Sequence, residues 1–346
     1  MIMAYYDGTK LLSMTDINGN RPELYLCTTN RTGGKTTYFS RLLVNKFQKA
    51  GEKFCLIYRF NYELDDIAQK FFKDINTLFF PSCTMESARK AKGIYHELFI
   101  DEKSCGYAIS LNSADQLKKY SHLFSDVQRC FFDEFQSETN HYCQNEVEKF
   151  ISVHTSIARG QGKQTRYVPV YMCSNPVTIL NPYYVAMGIS DKLLTSTKFF
   201  RGNGFVLEQG YVESAANALK ESGFSKAFSN SDYIPYSTQA VYLNDKSAFV
   251  QKMSGKFKYV ATLICNGKEY GLREFTSQGI IYCDDSPDKT SPLKFAVTTE
   301  DHNVNFVLLR RNDFFINNLR YLFDKGCFRF RNQMCKDVIL KMISYY

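Results

Sequence analysis

The chain has 346 residues, of which 44% are hydrophobic and 23% are charged, as in an ordinary soluble globular protein of about two domains. It contains no apolar run long enough to cross a bilayer and begins without a charged-then-apolar leader, so we expect neither a membrane span nor a signal peptide. Its net charge of +8 permits a nucleic-acid partner but does not require one.

The cysteines indicate the compartment. None of the eleven forms a Cys-x-x-Cys pair, and Cys27, Cys55, Cys130 and Cys173 lie within apolar runs, where a free thiol behaves as a small hydrophobe. We therefore expect a reducing cytoplasm and no structural zinc.

The stretch from Leu24 to Ala50 predicts a strand, a tight loop and a helix. An apolar run ends in polar residues and two glycines, and apolar residues at helical spacing follow Thr37. This is the context in which Gly-Lys-Thr indicates a phosphate-binding P-loop. The loop residues predicted to bind nucleotide are Thr29, Asn30, Arg31, Thr32, Gly33, Gly34, Lys35, Thr36 and Thr37.

The chemistry of such a loop is specific. Backbone N–H groups at a helix N-terminus point at a polyphosphate. Lys35 would reach the β- and γ-phosphates, and the Thr36 hydroxyl would bind Mg²⁺. The motif is imperfect, because Thr29 stands where the consensus has its first glycine. From this stretch alone, an ordinary glycine turn is an equal alternative.

The next elements are predicted from periodicity. We expect a strand over Lys53–Tyr58, a helix over Glu63–Ile75, short strands between Thr77 and Leu111, and a helix from a Ser113 cap to Tyr120. The buried face of the first helix would carry Leu64, Ile67, Ala68, Phe71 and Phe72, and the turns between the strands would lie at Gly93, Asp101 and Gly106.

An apolar strand, Val127–Phe135, contains a pair of acids near its end. Asp133 would hold Mg²⁺, and Glu134 would polarise the attacking water as a general base. The alternative is a strand whose terminal carboxylates only face solvent. The P-loop upstream favours the catalytic interpretation, which is the Walker-B pattern.

Two further polar positions follow regular elements. A helix over Gln144–Ala158 would end at Arg159, which is either a favourable cation at a helix C-terminus or a mobile cation that reaches a neighbouring subunit's γ-phosphate. A strand over Val168–Cys173 would end at Asn175, which either senses the γ-phosphate or belongs to a turn before proline. The buried face of the helix would carry Val147, Phe150, Ile151, His154 and Ile157.

Composition changes in the C-terminal half. Lys192–Asp245 is rich in glycine, serine and asparagine, which predicts a linker region with little core of its own. From Ala248 onward we expect a β-meander with a hairpin at Asn266-Gly267. Amphipathic helices over Asp313–Phe323 and Asn332–Met342 would follow.

These pieces, in this order, resemble the DNA-encapsidation (packaging) ATPases of the small phi29-like podophages over nearly the whole chain. The motifs that carry the resemblance are Arg31 within the P-loop, Phe132–Phe135, Asn145–Val147, Cys173–Asn175, Asn181–Tyr183, Cys265–Gly267, Gln278–Tyr282, Thr298–Asp301 and Phe328–Gln333.

The resemblance implies an α/β fold in three parts. An additional-strand P-loop (ASCE-type) ATPase domain would span residues 1–210, a small linker subdomain 211–246, and an RNase H-like α+β domain 247–346. Two-metal nucleases need clustered acids. The first strand of the last part, Phe257–Cys265, carries none, and Asp284 and Asp285 resemble solvated turn residues. We therefore expect no nuclease activity.

The resemblance also implies the assembly in which the chain acts. A homomeric ring, usually a pentamer, would act in the host cytoplasm at the portal (connector) vertex of an empty capsid and drive double-stranded DNA inward with ATP and Mg²⁺. Arg159 matches the trans-acting arginine finger, and Lys119 lies near a second trans-acting basic residue, with Lys118 as an alternative. Whether a structural RNA joins the motor is left open.

One departure concerns the DNA grip. The loop Gln136–Gln144, which the resemblance implies would face the pore, contains no lysine or arginine. Its candidate DNA contacts are Gln136, Ser137, Asn140, His141 and Tyr142, with Glu138 opposing them. A terminase-like ATPase with an active nuclease and a nucleotide-binding scaffold without turnover remain as alternatives. A small-molecule kinase is disfavoured, because the sequence contains no acceptor-binding lid.

Overall fold

The computed structural model describes residues 5–66, 71–139, 141–190, 192–193, 197–231, 237, 249–309 and 313–344. The chain divides into two compact units, one formed by Met1–Ala186 with Leu193–Asn244 and the other by Met187–Lys192 with Asp245–Tyr346. No helix among the described residues is long and apolar enough to cross a membrane.

The described part of the first unit contains nine strands, which form one sheet. They are β1 Leu24–Thr28, β2 Lys53–Tyr58, β3 Met85–Lys90, β4 Tyr95–Ile100, β5 Lys103–Ser110, β6 Val127–Asp133, β7 Val170–Ser174, β8 Phe199–Gly202 and β9 Phe205–Gln209. The helices are α1 Thr9–Ser13, α2 Lys35–Ala50, α3 Lys73–Phe79, α4 Ala114–Leu117, α5 Glu146–Ile157, α6 Pro182–Ala186, α7 Glu213–Glu221 and α8 Gly223–Ala227.

The strand order of this sheet is β3-β4-β5-β2-β6-β7-β1-β9-β8. The six strands from β5 to β9 in this order run parallel, and antiparallel pairs lie at both edges. An additional strand, β7, therefore separates β1, which precedes the predicted P-loop, from β6, which ends at Asp133. Because parallel strands end at the same sheet edge, the segments after β1, β6 and β7 converge there.

The α2 helix is held on the sheet by aromatic packing. Phe39 is fully buried, and its ring stacks on Phe131 of β6 and Tyr171 of β7 with centroids 6.0 and 5.3 Å apart. Aromatic pairs at these distances add to the free energy of area burial. The packing fixes the N-terminus of α2 above the carboxyl ends of the central strands.

The predicted helix over Glu63–Ile75 is described only at its two ends, because residues 67–70 lie outside the described part of the chain. A single 3₁₀ turn, Asn61–Leu64, is closed by the Phe60 amide, which donates to Glu63 Oε2 at 2.6 Å, and α3 begins only at Lys73. Phe71 and Phe72 form a π-helical turn directly before α3. Leu64, Phe71 and Phe72 are buried, as the predicted apolar face requires. Ile67 and Ala68 lie outside the described residues.

Other local predictions also need correction. The Ser113 hydroxyl does not cap a helix but donates to Asn61 Oδ1 at 2.7 Å, and α4 gives way to a 3₁₀ turn at Lys118. Ile151 is 57% exposed, because the buried face of α5 passes through Phe150 and Val153 instead.

Gly106 is not a turn residue but lies within β5. Its φ is 153°, and a Cβ there would lie 1.9 Å from the Phe54 carbonyl oxygen of the adjacent strand β2. Glycine is therefore required by the close approach of two backbones.

The expectation of a linker with little core over Lys192–Asp245 is wrong for its first part. β8 and β9 form a hairpin across Asn203-Gly204, and β9 pairs in parallel with β1 from Leu24↔Phe205 to Thr28↔Gln209. The Asn-Gly hairpin signal was present in the sequence. Residues 232–236 and 238–248 lie outside the described part of the chain.

The described part of the second unit contains a sheet in the order β14-β13-β10-β11-β12-β15. The predicted β-meander, its Asn266-Gly267 hairpin and both amphipathic helices are confirmed. The elements are β10 Lys258–Cys265, β11 Lys268–Phe275, β12 Ile280–Asp284, β13 Lys294–Ala296, β14 Val307–Leu308, β15 Phe328–Phe330, α9 Phe314–Asp324 and α10 Gln333–Ser344.

A buried histidine predicts a pH dependence of folding stability. His96 of β4 is 5% exposed, and neither ring nitrogen has a hydrogen-bond partner among the described residues. Burial lowers the pKa of His96 below its ordinary 6.5, although the Asp65 carboxylate opposes this. Below pH 6.5 the unfolded chain therefore takes up a proton that the folded chain resists, and stability falls by at most about 1.4 kcal/mol per pH unit.

We expect His96→Phe to lose less stability than the unchanged chain between pH 7 and about pH 5.5, as measured by urea unfolding at each pH. His122→Phe, at an exposed position, is the matched control and should leave the pH profile unchanged. Parallel profiles for the unchanged chain and His96→Phe would contradict the prediction.

Candidate functional site

Contacts with Val212 hold the loop between β1 and α2 in its conformation. Asn30 is fully buried, its Oδ1 accepts from the Val212 amide at 2.8 Å, and its Nδ2 donates to the Val212 carbonyl at 3.1 Å. A Cβ on Gly33 would lie 2.9 Å from the Val212 Cγ2 atom. Positive φ angles at Thr32 and Gly34, 58° and 89°, complete the turn. Val212, in the segment after β9, therefore holds the loop in the curved form that a P-loop requires.

The departure from consensus at Thr29 is accommodated. The Thr29 side chain is fully buried, and its hydroxyl donates to the Asn30 carbonyl at 3.1 Å. Its methyl group lies against Gly210, where a Cβ would approach it to 3.0 Å. A glycine in the segment after β9 thus provides the space that a consensus glycine at position 29 would otherwise leave.

Lys35 is the first residue of α2 and is 7% exposed. Its Nζ donates to Asn175 Oδ1 at 2.8 Å, so the residue after β7 and the P-loop lysine are brought together. Asn175 Nδ2 also donates to Glu138 Oε1 at 3.3 Å, and Glu138 forms an ion pair with Arg31. Asn175 therefore lies where it contacts the lysine expected to hold the γ-phosphate.

The Walker-B acids lie beside the same lysine. Thr36 and Asp133 line the same cavity, and the Glu134 amide donates to Asp133 Oδ1 at 3.0 Å. Burial raises the pKa of Asp133 to about 6; the Lys35 ammonium and the Thr36 hydrogen bond oppose the rise, and the Glu134 carboxylate adds to it. Glu134 is exposed and adopts a left-handed φ of 55°.

This arrangement fits Mg²⁺. Thr36 and Asp133 are hard oxygen donors that line one cavity. A cation between them would stabilise the charged form of a carboxylate that burial disfavours. Mg²⁺ is commonly held by one or two carboxylates together with substrate phosphates. A cavity of about 340 Å³ adjoins the pair, and Arg59 and Glu134 contribute to its lining.

A buried ion pair that the sequence reading missed supports the Walker-B turn. Arg59 Nε donates to both carboxylate oxygens of Glu146, at 3.1 and 2.8 Å. Arg59 Nη2 donates to the carbonyls of Glu134 and Phe135, at 3.3 and 2.9 Å. Glu146 also accepts from the Cys143 amide at 2.9 Å. Both ends of the loop after β6 are therefore attached to one pair of charges.

Two signals pointed to this pair. Arg59 directly follows β2, which ends at the same sheet edge as β6, and Glu146 lies in one of the motifs that carry the family resemblance. Charged residues are rarely buried unless they are paired. The sequence alone could not show that the two meet, because 87 residues separate them.

The expected DNA contact of Gln136 is wrong. Gln136 is 3% exposed, and its Oε1 accepts from the amides of Val177 and Thr178 at 3.0 Å each. The Tyr142 hydroxyl accepts from the Ser137 amide at 3.1 Å, which also serves the loop's own structure. Asn140 lies outside the described residues, and His141 is exposed.

Arg159 lies far from the Walker-B acids of its own chain. It is exposed after α5, with Nε donating to the Thr155 carbonyl at 3.3 Å. The following residue, Gly160, packs against Ser125, since a Cβ there would lie 2.8 Å from the Ser125 Cβ atom. Ser125 precedes β6, whereas Asp133 ends it, and a strand of that length spans about 20 Å.

Lys119 is exposed in the 3₁₀ turn after α4. Its neighbour Lys118 pairs with Asp115 at 2.9 Å, whereas Lys119 has no ion-pair partner within the described ranges. This favours Lys119 over Lys118 as a cation available to another subunit.

In the second unit, the expectation that Asp284 is solvated is wrong. Asp284 is 6% exposed and accepts from Arg273 Nε at 2.6 Å. Asp285 pairs with Arg331 at 3.0 Å. Arginine partners occupy the carboxylates that a metal-dependent nuclease would need.

Comparison with known proteins gives concordant matches. The family model described as podovirus DNA encapsidation protein (Gp16) matches residues 3–345. The DNA packaging protein of Bacillus phage phi29 is 24% identical over 313 residues, covering 89% of this chain and 90% of the relative. The DNA packaging protein of Bacillus phage B103 is 27% identical over 316 residues, covering 90% and 93%.

A solved structure supports the fold. A chain of the bacteriophage phi29 viral genome packaging motor assembly superposes with a TM-score of 0.69 at 23% identity, covering 99% of this chain and 98% of that one. The likeness confirms the predicted α/β fold class, and the family match confirms the resemblance read from the motifs.

The Arg59–Glu146 pair predicts a large stability effect. Glu146→Ala leaves the Arg59 guanidinium buried without its carboxylate, which should lower the free energy of unfolding by about 3–5 kcal/mol. The measurement is urea unfolding of the full chain. Lys118→Ala, which breaks an exposed pair, is the control and should cost less than about 1 kcal/mol. Equal effects of the two substitutions would contradict the assigned role.

Proposed function

The chain belongs to the podovirus DNA encapsidation protein (Gp16) family, and from that premise we propose that it is an ATP-driven motor that moves double-stranded viral DNA into a preformed capsid through the portal. One observation carries the ATPase assignment: at the carboxyl ends of the parallel strands, Lys35 is hydrogen-bonded to Asn175, and Thr36 and Asp133 line one cavity. Ligands of open α/β sheets bind at that edge.

Within one subunit, the roles follow from the contacts. Lys35 exchanges its hydrogen bond with Asn175 for the β- and γ-phosphates of ATP, and the backbone of residues 29–37 surrounds the phosphate chain. Thr36 and Asp133 would hold Mg²⁺, which would neutralise charge on the phosphates. Glu134, exposed at the cavity beside Asp133, accepts a proton from the attacking water.

Asn175 and Arg31 complete the subunit's own contribution. Asn175 contacts Lys35, so we assign it to sensing the γ-phosphate. Arg31 is in the P-loop and pairs with Glu138 of the loop after β6. A change at the phosphates therefore reaches that loop through a direct contact.

The remaining positive charge comes from a neighbouring subunit. Because Arg159 lies about a strand length from its own Asp133, we assign it as an arginine finger that acts in trans, with Lys119 as a second cation from the same neighbour. An arginine finger typically contributes about 10³–10⁵ in rate. A lone subunit should therefore hydrolyse ATP slowly, and assembly of a homomeric ring, which we propose is a pentamer, switches it on.

The motor's partners follow from the family. We propose that the ring acts in the host cytoplasm at the portal vertex of the empty capsid, where it contacts DNA phosphates. Such contact is independent of sequence and weakens with salt. We assign the C-terminal part, residues 247–346, to docking and not to DNA cleavage, because Asp284 is committed to Arg273.

Mixed rings test the shared site. Arg159→Ala rings and Glu134→Gln rings should each lose at least about 10³-fold in ATPase rate, measured with capsids and DNA. Mixing the two variants should restore part of the activity, because some interfaces then combine an intact Glu134 with an intact Arg159 from the neighbour.

The matched control is Lys163→Ala, which removes another exposed cation from the turn after α5. It should hydrolyse ATP like the unchanged protein, alone and in mixtures. If Arg159→Ala rings also keep the unchanged rate, ATP is not shared between subunits. If the unchanged chain binds ATP without turnover under these conditions, the motor proposal gives way to a nucleotide-binding scaffold.

A further inference from the structure

Large apolar side chains remain exposed around the phosphate loop. Tyr5 is 67% exposed, Leu78 is 64% exposed and Tyr211 is 49% exposed. Two cavities, of about 660 and 890 Å³, flank the loop, and these three side chains contribute to their linings. Both volumes lie in the range of small-ligand sites. Clustered exposed apolar groups mark binding surfaces.

Tyr5 is one of two residues that line both cavities, and the other, Tyr6, is buried. The Tyr6 amide donates to the Gly33 carbonyl at 2.8 Å, and its hydroxyl donates to Glu208 Oε2 at 2.7 Å. The Tyr6 ring also packs edge-on against Tyr38, with centroids 5.5 Å apart. These contacts anchor the chain at Tyr6 against the P-loop and so restrict where Tyr5 can lie.

The Tyr5 ring lies over the loop itself. A Cβ on Gly34 would be 3.2 Å from Tyr5 Cδ1, so the ring is in contact range of the residue that precedes Lys35. The far wall of the smaller cavity contains Leu78 and Phe79, with the Arg41 guanidinium 4.5 Å from the Phe79 ring centroid. The smaller cavity is therefore lined by the Tyr5 ring, by the apolar side chains of Leu78 and Phe79, and by the phosphate loop.

We propose that Tyr5 is the stacking platform for the base of the bound nucleotide. The inference rests on the proposed function, because it needs the triphosphate in the loop to place the ribose beside Gly34. Every base has a π-face, so a single aromatic ring supplies affinity for a nucleoside with little discrimination between bases. Tyr5 then distinguishes a nucleoside triphosphate from inorganic polyphosphate, which has no group to stack.

The experiment compares Mg-ATP with Mg-tripolyphosphate on the full chain, using titration calorimetry. Stacking on an aromatic side chain corresponds to about a tenfold to hundredfold change in dissociation constant. Tyr5→Ala should weaken ATP binding by that factor and leave tripolyphosphate binding unchanged. Tyr5→Phe should bind both ligands like the unchanged protein, because the ring is retained.

Two further variants make the outcomes distinguishable. Tyr321→Ala removes a tyrosine that is 60% exposed on α9 in the second unit and should change neither affinity. Lys35→Ala should weaken both ligands, because it removes the phosphate contact itself.

Unchanged ATP affinity in Tyr5→Ala, together with a loss in Lys35→Ala, would overturn this inference and leave the proposed function standing. Equal weakening of both ligands by Tyr5→Ala would also overturn it, since that result indicates a distorted loop. Lys35→Ala that binds both ligands normally would refute the proposed function instead.

Discussion

A buried ammonium group organises the catalytic edge of this protein. Lys35 is almost removed from solvent, and a charge in that position is stable only when polar partners surround it. Asn175 and Asp133 are those partners, and each follows or ends a different strand. Strand order, loop curvature and the position of α2 must all be correct at once for them to meet. If phosphate and Mg²⁺ bind as proposed, Asn175 and Asp133 would change their contacts with Lys35. The buried Lys35 ammonium group therefore matters both for the fold of this sheet edge and for the proposed chemistry.

A second buried charge pair extends that organisation outward. Arg59 binds Glu146 and the carbonyls after Asp133, while Glu146 holds the far end of the same loop through the Cys143 amide. The catalytic turn and the loop proposed to face DNA are therefore parts of one braced segment. Rigid contacts between two sites transmit a displacement at one site to the other, because packed interiors transmit strain. This gives a physical route from phosphate chemistry to DNA movement.

The distance between Arg159 and Asp133 underlies the proposal that the site is shared between subunits. Arg159 and the Walker-B acids lie near opposite ends of β6, about 20 Å apart, so no side-chain motion within one chain joins them. The Tyr5 ring, unlike Arg159, lies against the phosphate loop of its own chain, although it is exposed to solvent. Asn175, Thr36 and Asp133 lie near Lys35 in the same chain, whereas the proposed arginine finger would come from another copy. The proposed dependence of hydrolysis on assembly rests on that separation.

The sequence by itself determined the local chemistry: Gly34-Lys35-Thr36 after an apolar strand, Asp133-Glu134 at the end of another, and the Asn266-Gly267 hairpin. Each of these motifs is formed by residues that are close together in the sequence, so its spacing can be read from the sequence directly. Tertiary structure decided the rest. Periodicity at Leu64, Phe71 and Phe72 predicted their burial but not the 3₁₀ turn at Asn61–Leu64. The pairing of β9 with β1, the Arg59–Glu146 contact and the burial of Gln136 and Asp284 join residues far apart in the chain, and only packing determines which distant groups meet.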